Sequence, residues 1–186
     1  MFGDITRNSK YPTIELGKIS EMISGGTPSS KNPEYFGGNI PFISTPCLGP
    51  NYIDSSVAQN WLTEEGVANS STHIIPPYSF LIGNRVGVGK SSINTCEICT
   101  NQDILSFVGI DMKTYDLLFI KKVMEQYEPI FESQKRGATI KGIPSDLVKS
   151  SKIPQAPIEL QERFAEFVRQ SDKSKFAVAK CSNLNL

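Results

Sequence analysis

Apolar positions along this chain come mostly in short clusters separated by Gly, Pro, Asn and Ser, and only late in the sequence at sustained helical spacing. The clusters Ile40-Pro-Phe-Ile-Ser, Ile74-Ile-Pro-Pro-Tyr-Ser-Phe-Leu-Ile, Ser92-Ile-Asn-Thr-Cys-Glu-Ile-Cys-Thr and Ile104-Leu-Ser-Phe-Val-Gly-Ile are rich in β-branched and aromatic residues and predict strands. Pro41 has no N–H for a ladder, which predicts an edge or first-residue position for the first cluster. The second is entered through a proline turn. Residues 13–24 place Leu16, Ile19 and Ile23 on one helical face, or form a short turn feeding a strand, and Gly17 argues against a long helix. Residues 61–68 predict a short helix capped by Thr63, residues 145–149 another, and Ile153 a last short strand.

Two segments carry the helical period. In residues 115–131, Leu117, Ile120, Val123, Met124 and Tyr127 line one face, and Thr114 is placed to cap it. The second begins at Pro154 and Pro157, of which Pro157 suits a first helical turn because its missing N–H is not needed there. Beyond it Leu160, Phe164, Phe167, Ser171, Ser174, Val178 and Cys181 recur at alternating spacings of four and three, flanked by Glu159, Glu162, Arg163, Glu166, Arg169, Lys173 and Lys175. So narrow a stripe suits a partner helix better than a globular core. Ser171 and Ser174 thin its middle, which predicts a weak or partner-dependent pairing. The expected architecture is α+β: a compact domain of short strands and few helices over residues 1–153, then a long coiled-coil-type helix over 154–186.

With 39% hydrophobic and 20% charged residues, 186 residues can build a core, so disorder is not expected. A formal net charge of zero counts mildly against a generally basic nucleic-acid binder, although a local patch matters more than the sum. Four cysteines without a cationic, apolar leader predict reduced thiols in a cytoplasmic protein. No apolar run approaches the ~20 residues that span a bilayer.

Several stretches resemble chemical motifs without meeting their requirements. Asn84-Arg-Val-Gly-Val-Gly-Lys-Ser ends like a phosphate-binding loop, but lacks the first glycine and is followed by a predicted strand where a helix is needed. Asn32-Pro-Glu-Tyr35 resembles a base-holding methyltransferase tetrapeptide with the wrong third residue, and is ordinary turn chemistry. Cys96 and Cys99 have the spacing of a redox or zinc pair, yet positions three apart on a strand face opposite ways and no second pair exists. The single histidine, His73, lies in a Ser/Thr-rich turn, and Glu64-Glu65 reads as solvated surface, so no catalytic constellation and no cofactor or metal site emerges. What remains is a set of polar, glycine-bearing loops: Thr27, Ser29 and Lys31; Ser44 and Thr45; Arg85 and Lys90; Asn101 and Gln102; and Arg136, Thr139 and Lys141. Lys31, Arg85, Lys90, Arg136 and Lys141 suit phosphate or guanine, while Ser44, Asn101, Gln102 and Thr139 suit base edges, Asn and Gln pairing with adenine.

Leu16-Gly-Lys-Ile, Ser24-Gly-Gly-Thr-Pro-Ser, Gly38-Asn-Ile-Pro-Phe-Ile-Ser-Thr, Leu62-Thr-Glu-Glu-Gly, Arg85-Val-Gly-Val-Gly, Asn101-Gln102, Arg136-Gly-Ala-Thr-Ile and Ile153-Pro-Gln-Ala-Pro-Ile-Glu-Leu-Gln-Glu-Arg-Phe-Ala occur in that order. This series resembles the specificity (S) subunit of type I restriction–modification enzymes over nearly the whole chain. Such subunits have two target-recognition domains, each reading half of a bipartite DNA site, separated by conserved helices that act as a ruler and dock methyltransferase subunits. The resemblance implies one recognition domain and one such helix, the C-terminal half of a subunit as a separate chain; the family's helix usually runs on, and Cys181-Ser-Asn-Leu-Asn-Leu departs from that pattern as an early or altered stop. It implies a non-catalytic partner of double-stranded DNA, of the modification subunits and, through them, of the restriction subunit. It also implies pairing with a second S half, or with a second copy, through Leu160, Phe164, Phe167, Ser171 and Val178. Methylation and cleavage, with their S-adenosylmethionine and ATP chemistry, would belong to the partners. The alternatives are an orphan half-subunit that only binds other proteins, and a nucleotide-binding enzyme built on residues 84–91.

Overall fold

The computed structural model describes residues 9–136 and 142–182, with side chains as far as Asp172. In chain order the elements are β1 (Thr13–Glu15), β2 (Glu21–Ser24), β3 (Phe36–Ile43), β4 (Tyr52–Ile53), β5 (Asn60–Leu62), α1 (Glu64–Ala68), β6 (Ile74–Ile75), β7 (Phe80–Gly83), β8 (Ser91–Asn94), β9 (Ile98–Thr100), β10 (Ile104–Val108), α2 (Leu117–Glu125), α3 (Glu128–Ser133), α4 (Ser145–Lys149), β11 (Lys152–Pro154) and α5 (Ile158–Ser182). They form a five-stranded sheet ordered β2-β10-β7-β8-β4, a four-stranded sheet ordered β5-β3-β9-β6, and a β1-β11 pair that brings the two ends of the domain together. Most pairings are antiparallel; β4 with β8 and β3 with β9 are parallel. An α+β class is the result. No helix among the described residues is long and apolar enough to cross a membrane.

The five-stranded sheet is the middle of three layers, and its sequence shows why. Every residue of β10 is buried, so it carries apolar side chains on both faces. Leu105 and Phe107 join Phe80, Ile82 and Ile93 under α2, whereas Ile104 and Val108 join Leu81 against Ile43, Ile75 and Ile98 of the second sheet. The strand expected over residues 92–100 is interrupted by a turn and divided between the two sheets. Buried Asn94 ends its first half: its Oδ1 accepts from the Ser79 N–H at 2.9 Å, and its amide donates to the carbonyls of Pro76 at 2.8 Å and Cys96 at 2.9 Å.

Three local expectations change. Pro41 lies on an inner strand rather than an edge, because β3 sits between β5 and β9. Pairing with β9 begins only at Phe42, so the missing N–H removes no rung there. Residues 13–24 resolve to β1, a 3-10 turn at Leu16–Lys18, and β2. The helix expected over 115–131 is two helices. Asp116, not Thr114, caps the first, accepting from the Phe119 N–H at 2.8 Å. Pro129 can neither donate to the Glu125 carbonyl nor pack against it, so α2 stops at Glu125 and α3 restarts with the proline in its first turn. Thr63 caps α1 as expected, accepting from the Gly66 N–H at 3.0 Å.

The first four turns of α5 belong to the domain core. Buried Gln161 accepts from the Asp116 N–H at 3.1 Å and donates to the carbonyls of Thr114 at 3.1 Å and Ala156 at 2.7 Å. Ala165 is fully buried, Phe164 meets Phe119 edge to face with ring centroids 6.0 Å apart, and Val168 packs on the same cluster. Arg169 lies 3.6 Å from the Asp116 carboxylate, and Asn51 donates to Asp172 at 2.6 Å. The expected stripe therefore divides. Phe164 faces inward, while Phe167 is 65% exposed and Leu160 and Ser171 are half-buried. The side chains of Ser174, Val178 and Cys181 lie outside the described residues.

Beside this joint, Lys121 is buried on α2, with its ammonium on Glu125 and 3.3 Å from the Gly49 carbonyl. Burial pushes its pKa down against the pull of Glu125. Burial alone would raise the Glu125 carboxyl, but hydrogen bonds and charge from Lys121 and Lys122 outweigh it and hold the group below its ordinary 4.5. A carboxyl depressed in the fold adds stability that is fully present above the unfolded value and lost as pH falls through the folded one. Glu125→Gln is accordingly expected to lower the melting temperature at neutral pH, with the gap to the parent narrowing as pH falls below the ordinary carboxyl value of 4.5. Thermal melts of both proteins across pH check this; a gap that stays constant with pH would exclude the ionic origin.

Candidate nucleic-acid interface

Four loops meet at one end of the strands of the five-stranded sheet. The turn from β7 to β8 is tightened by Gly87 at φ 62° and Gly89 at φ 83°, conformations a Cβ disfavours, and this turn carries Arg85 outward. Asn84 then joins its neighbours through the backbone. Its N–H donates to the Asp103 carbonyl at 2.9 Å, and its carbonyl accepts from Ile143 at 2.8 Å. Arg136 and Gly142 exchange two backbone hydrogen bonds, at 2.8 and 2.9 Å, closing the third loop. A Cβ on Gly142 would stand 2.8 Å from both the Arg85 Cγ and the Asn84 carbonyl oxygen, so only glycine admits this approach. From the fourth loop, Gly25 and Gly26 donate to the carbonyls of Ile104 (3.2 Å) and Thr100 (2.9 Å), and the Thr27 hydroxyl donates to Gln102 Oε1.

These loops enclose a cleft of about 830 Å³ whose polar lining is Ser24, Asn84, Arg85, Gln102, Arg136 and Ser145. Its charge is one-sided. Arg85 is half exposed and lies 3.8 Å from Asp103, whose own side chain is only 13% exposed. Arg136 is exposed and has no ion pair among the described residues. No carboxylate lines the cleft among the described residues. Such an opening, with two guanidinium groups and an amide, suits a polyanion with hydrogen-bonding edges.

Of the residues expected from sequence, Arg85, Gln102 and Arg136 line the cleft, and Thr27 sits at its rim. Ser29 and Lys31 are exposed on the loop after β2, outside the cleft lining, with the Lys31 N–H on the Ser29 hydroxyl at 3.3 Å. Ser44 is half-buried where β3 ends, and Thr45, at 3% exposure, is buried in a 3-10 turn and cannot present its side chain at the surface. Asn101 is half-buried with its Oδ1 turned inside, so its amide is less available than the exposed Gln102. Lys90 is exposed but its stem lies against Gly87, outside the cleft lining. Thr139 and Lys141 lie outside the described residues. The sequence reading missed Ser24, Asn84 and Ser145. Asn84 had stood out only as the residue spoiling a phosphate loop, and the strand that follows that loop, β8, leaves no helix N-terminus for a nucleotide. Cys99 is buried in β9, where burial pushes its thiol up, and Cys96 is half-buried in the preceding turn.

Residues 8–185 match the family model for the type I restriction modification DNA specificity domain. The chain belongs to this family. Among curated specificity subunits, it is 29% identical over 162 residues to that of type I restriction enzyme MjaIX from Methanocaldococcus jannaschii, covering 85% of this chain and 37% of the relative. It is 30% identical over 162 residues to that of EcoR124I/EcoR124II from Escherichia coli, covering 84% and 40%. The chain thus spans about two fifths of the length of these relatives. Its fold is that of the HsdS subunit from Thermoanaerobacter tengcongensis, with TM-score 0.69 at 17% identity over 92% of this chain and 39% of the other. It is also that of the S subunit of the type I restriction–modification system of M. genitalium, with TM-score 0.63 at 13% identity over 97% and 44%. In this chain the four-loop cleft brings the exposed Arg85 and Arg136 together with the Gln102 amide.

Proposed function

We propose that this chain is a non-catalytic DNA-recognition subunit of a type I restriction–modification complex, reading one half of a bipartite target. The observation that carries the reading is the convergence of Arg85, Gln102 and Arg136 on one carboxylate-free cleft, in a member of the specificity-domain family. The curated relatives are named specificity subunits, which supports leaving methylation and cleavage to partner subunits. In this reading residues 1–153 form the recognition unit and residues 154–186 the helix that pairs with a second S half or a second copy and docks methyltransferase subunits. Exposed Phe167, flanked by half-buried Leu160 and Ser171, supports that use of the helix, since the adjoining face is already occupied by the chain's own core.

The test is co-expression with the modification subunit of its own system, followed by genome-wide sequencing of methylated positions with and without this chain. A methylated bipartite motif that appears only when the chain is present is the expected result. Co-purification with the modification subunit but no chain-dependent motif would instead favour an orphan half-subunit that only binds other proteins.

A further inference from the structure

The hydrogen-bonding groups of the cleft narrow what it can read, an inference that rests on the cleft facing DNA. Arg85 and Arg136 carry donors and no acceptor. Gln102 ordinarily offers one of each, the combination that pairs with adenine. Here its Oε1 already accepts the Thr27 hydroxyl, which occupies one of its two lone pairs, while both NH₂ donors remain. The Asn84 Oδ1 is buried, so this carbonyl does not face the opening as an acceptor. The Asp103 carboxylate is largely covered and lies 3.8 Å from the Arg85 guanidinium, an ion pair longer than a hydrogen bond. Ser24 and Ser145 hydroxyls serve either way. Nothing charged in the described lining is placed to accept from the amino groups of cytosine or adenine.

Donors in excess require acceptors in the ligand. In the major groove, guanine alone offers two adjacent acceptors, O6 and N7, and a guanidinium fork matches them bidentately. We propose that this cleft selects G·C pairs in the half-site, with Arg85 and Arg136 each reading one guanine and the Gln102 amide as an additional donor.

The experiment selects bound duplexes from a randomised double-stranded library with the complex of this chain and its modification subunit, comparing the parent with Arg85→Ala, Arg136→Ala and Gln102→Glu. The parent motif is expected to contain guanine in one half. Each arginine variant is expected to relax one G·C position, with preference there falling roughly 5- to 150-fold. Gln102→Glu replaces a donor with an acceptor and is expected to move preference at one position toward cytosine, a gain that misfolding cannot produce. A half-site without a G·C pair would overturn the inference. So would arginine variants that weaken all duplexes equally while keeping the motif, because the donors would then be on phosphates. Variants that select and bind like the parent would overturn both the inference and the assignment of the cleft to DNA.

Discussion

Alanine at both Arg85 and Arg136 is expected to reduce the affinity of the assembled complex for its own target by at least about 30-fold at moderate salt. Each bidentate guanidinium contact to a base contributes roughly 1–3 kcal/mol of discrimination, and contacts to phosphate would add a salt-dependent loss. Fluorescence anisotropy over a salt series measures both components. The effect is separable from folding because Arg136 is exposed, and exposed substitutions usually stay within about 0.5 kcal/mol. Arg85 differs, since its removal leaves the 13%-exposed Asp103 without its guanidinium, so Arg136→Ala alone is the cleaner half of the experiment. Unchanged binding by the double variant would remove the cleft from consideration as the DNA surface.

The second large effect concerns the helix joint. Ala165→Glu is expected to destabilise the folded domain itself by about 3 kcal/mol or more, because it forces a carboxylate into a fully buried site sized for a methyl group. Phe167→Glu, two positions on, is expected to leave unfolding within about 0.5 kcal/mol of the parent, since Phe167 is 65% exposed. It should nevertheless weaken self-association or assembly with the modification subunit, measured by light scattering. Denaturant unfolding of the pair tests the division of the helix into an inward and an outward face. If Ala165→Glu unfolded like the parent, the first turns of α5 would not be docked on the domain in solution.

The two predictions join the features that sequence handled differently. Loop chemistry alone makes the arginines candidates, whereas heptad spacing alone makes the helix a single seam. Heptad spacing places Leu160, Phe164 and Phe167 near one another around the helix, but it cannot say which of the two flanking directions the domain occupies. Gln161 and Ala165 decided that. One is a polar residue whose three hydrogen bonds are all to the domain's own backbone, and the other is small enough to let α5 approach α2.

Local chemistry by itself determined a good deal. β-branched clusters announced most of the strands, Thr63 its helix cap, Pro157 the start of α5, and the ordered short motifs the family. These are properties of a few adjacent residues or of their order, so the linear chain states them directly. Tertiary structure alone decided the rest. It divided residues 92–100 between two sheets, because Asn94 satisfies its amide on a neighbouring turn. It broke the helix at Pro129, and it took Thr45 out of reach. It also brought Arg85, Gln102 and Arg136 to one cleft through backbone hydrogen bonds at Asn84, Asp103, Gly142 and Ile143. That convergence has no period in the sequence, since it depends on loops that touch only after both sheets have closed around their shared core.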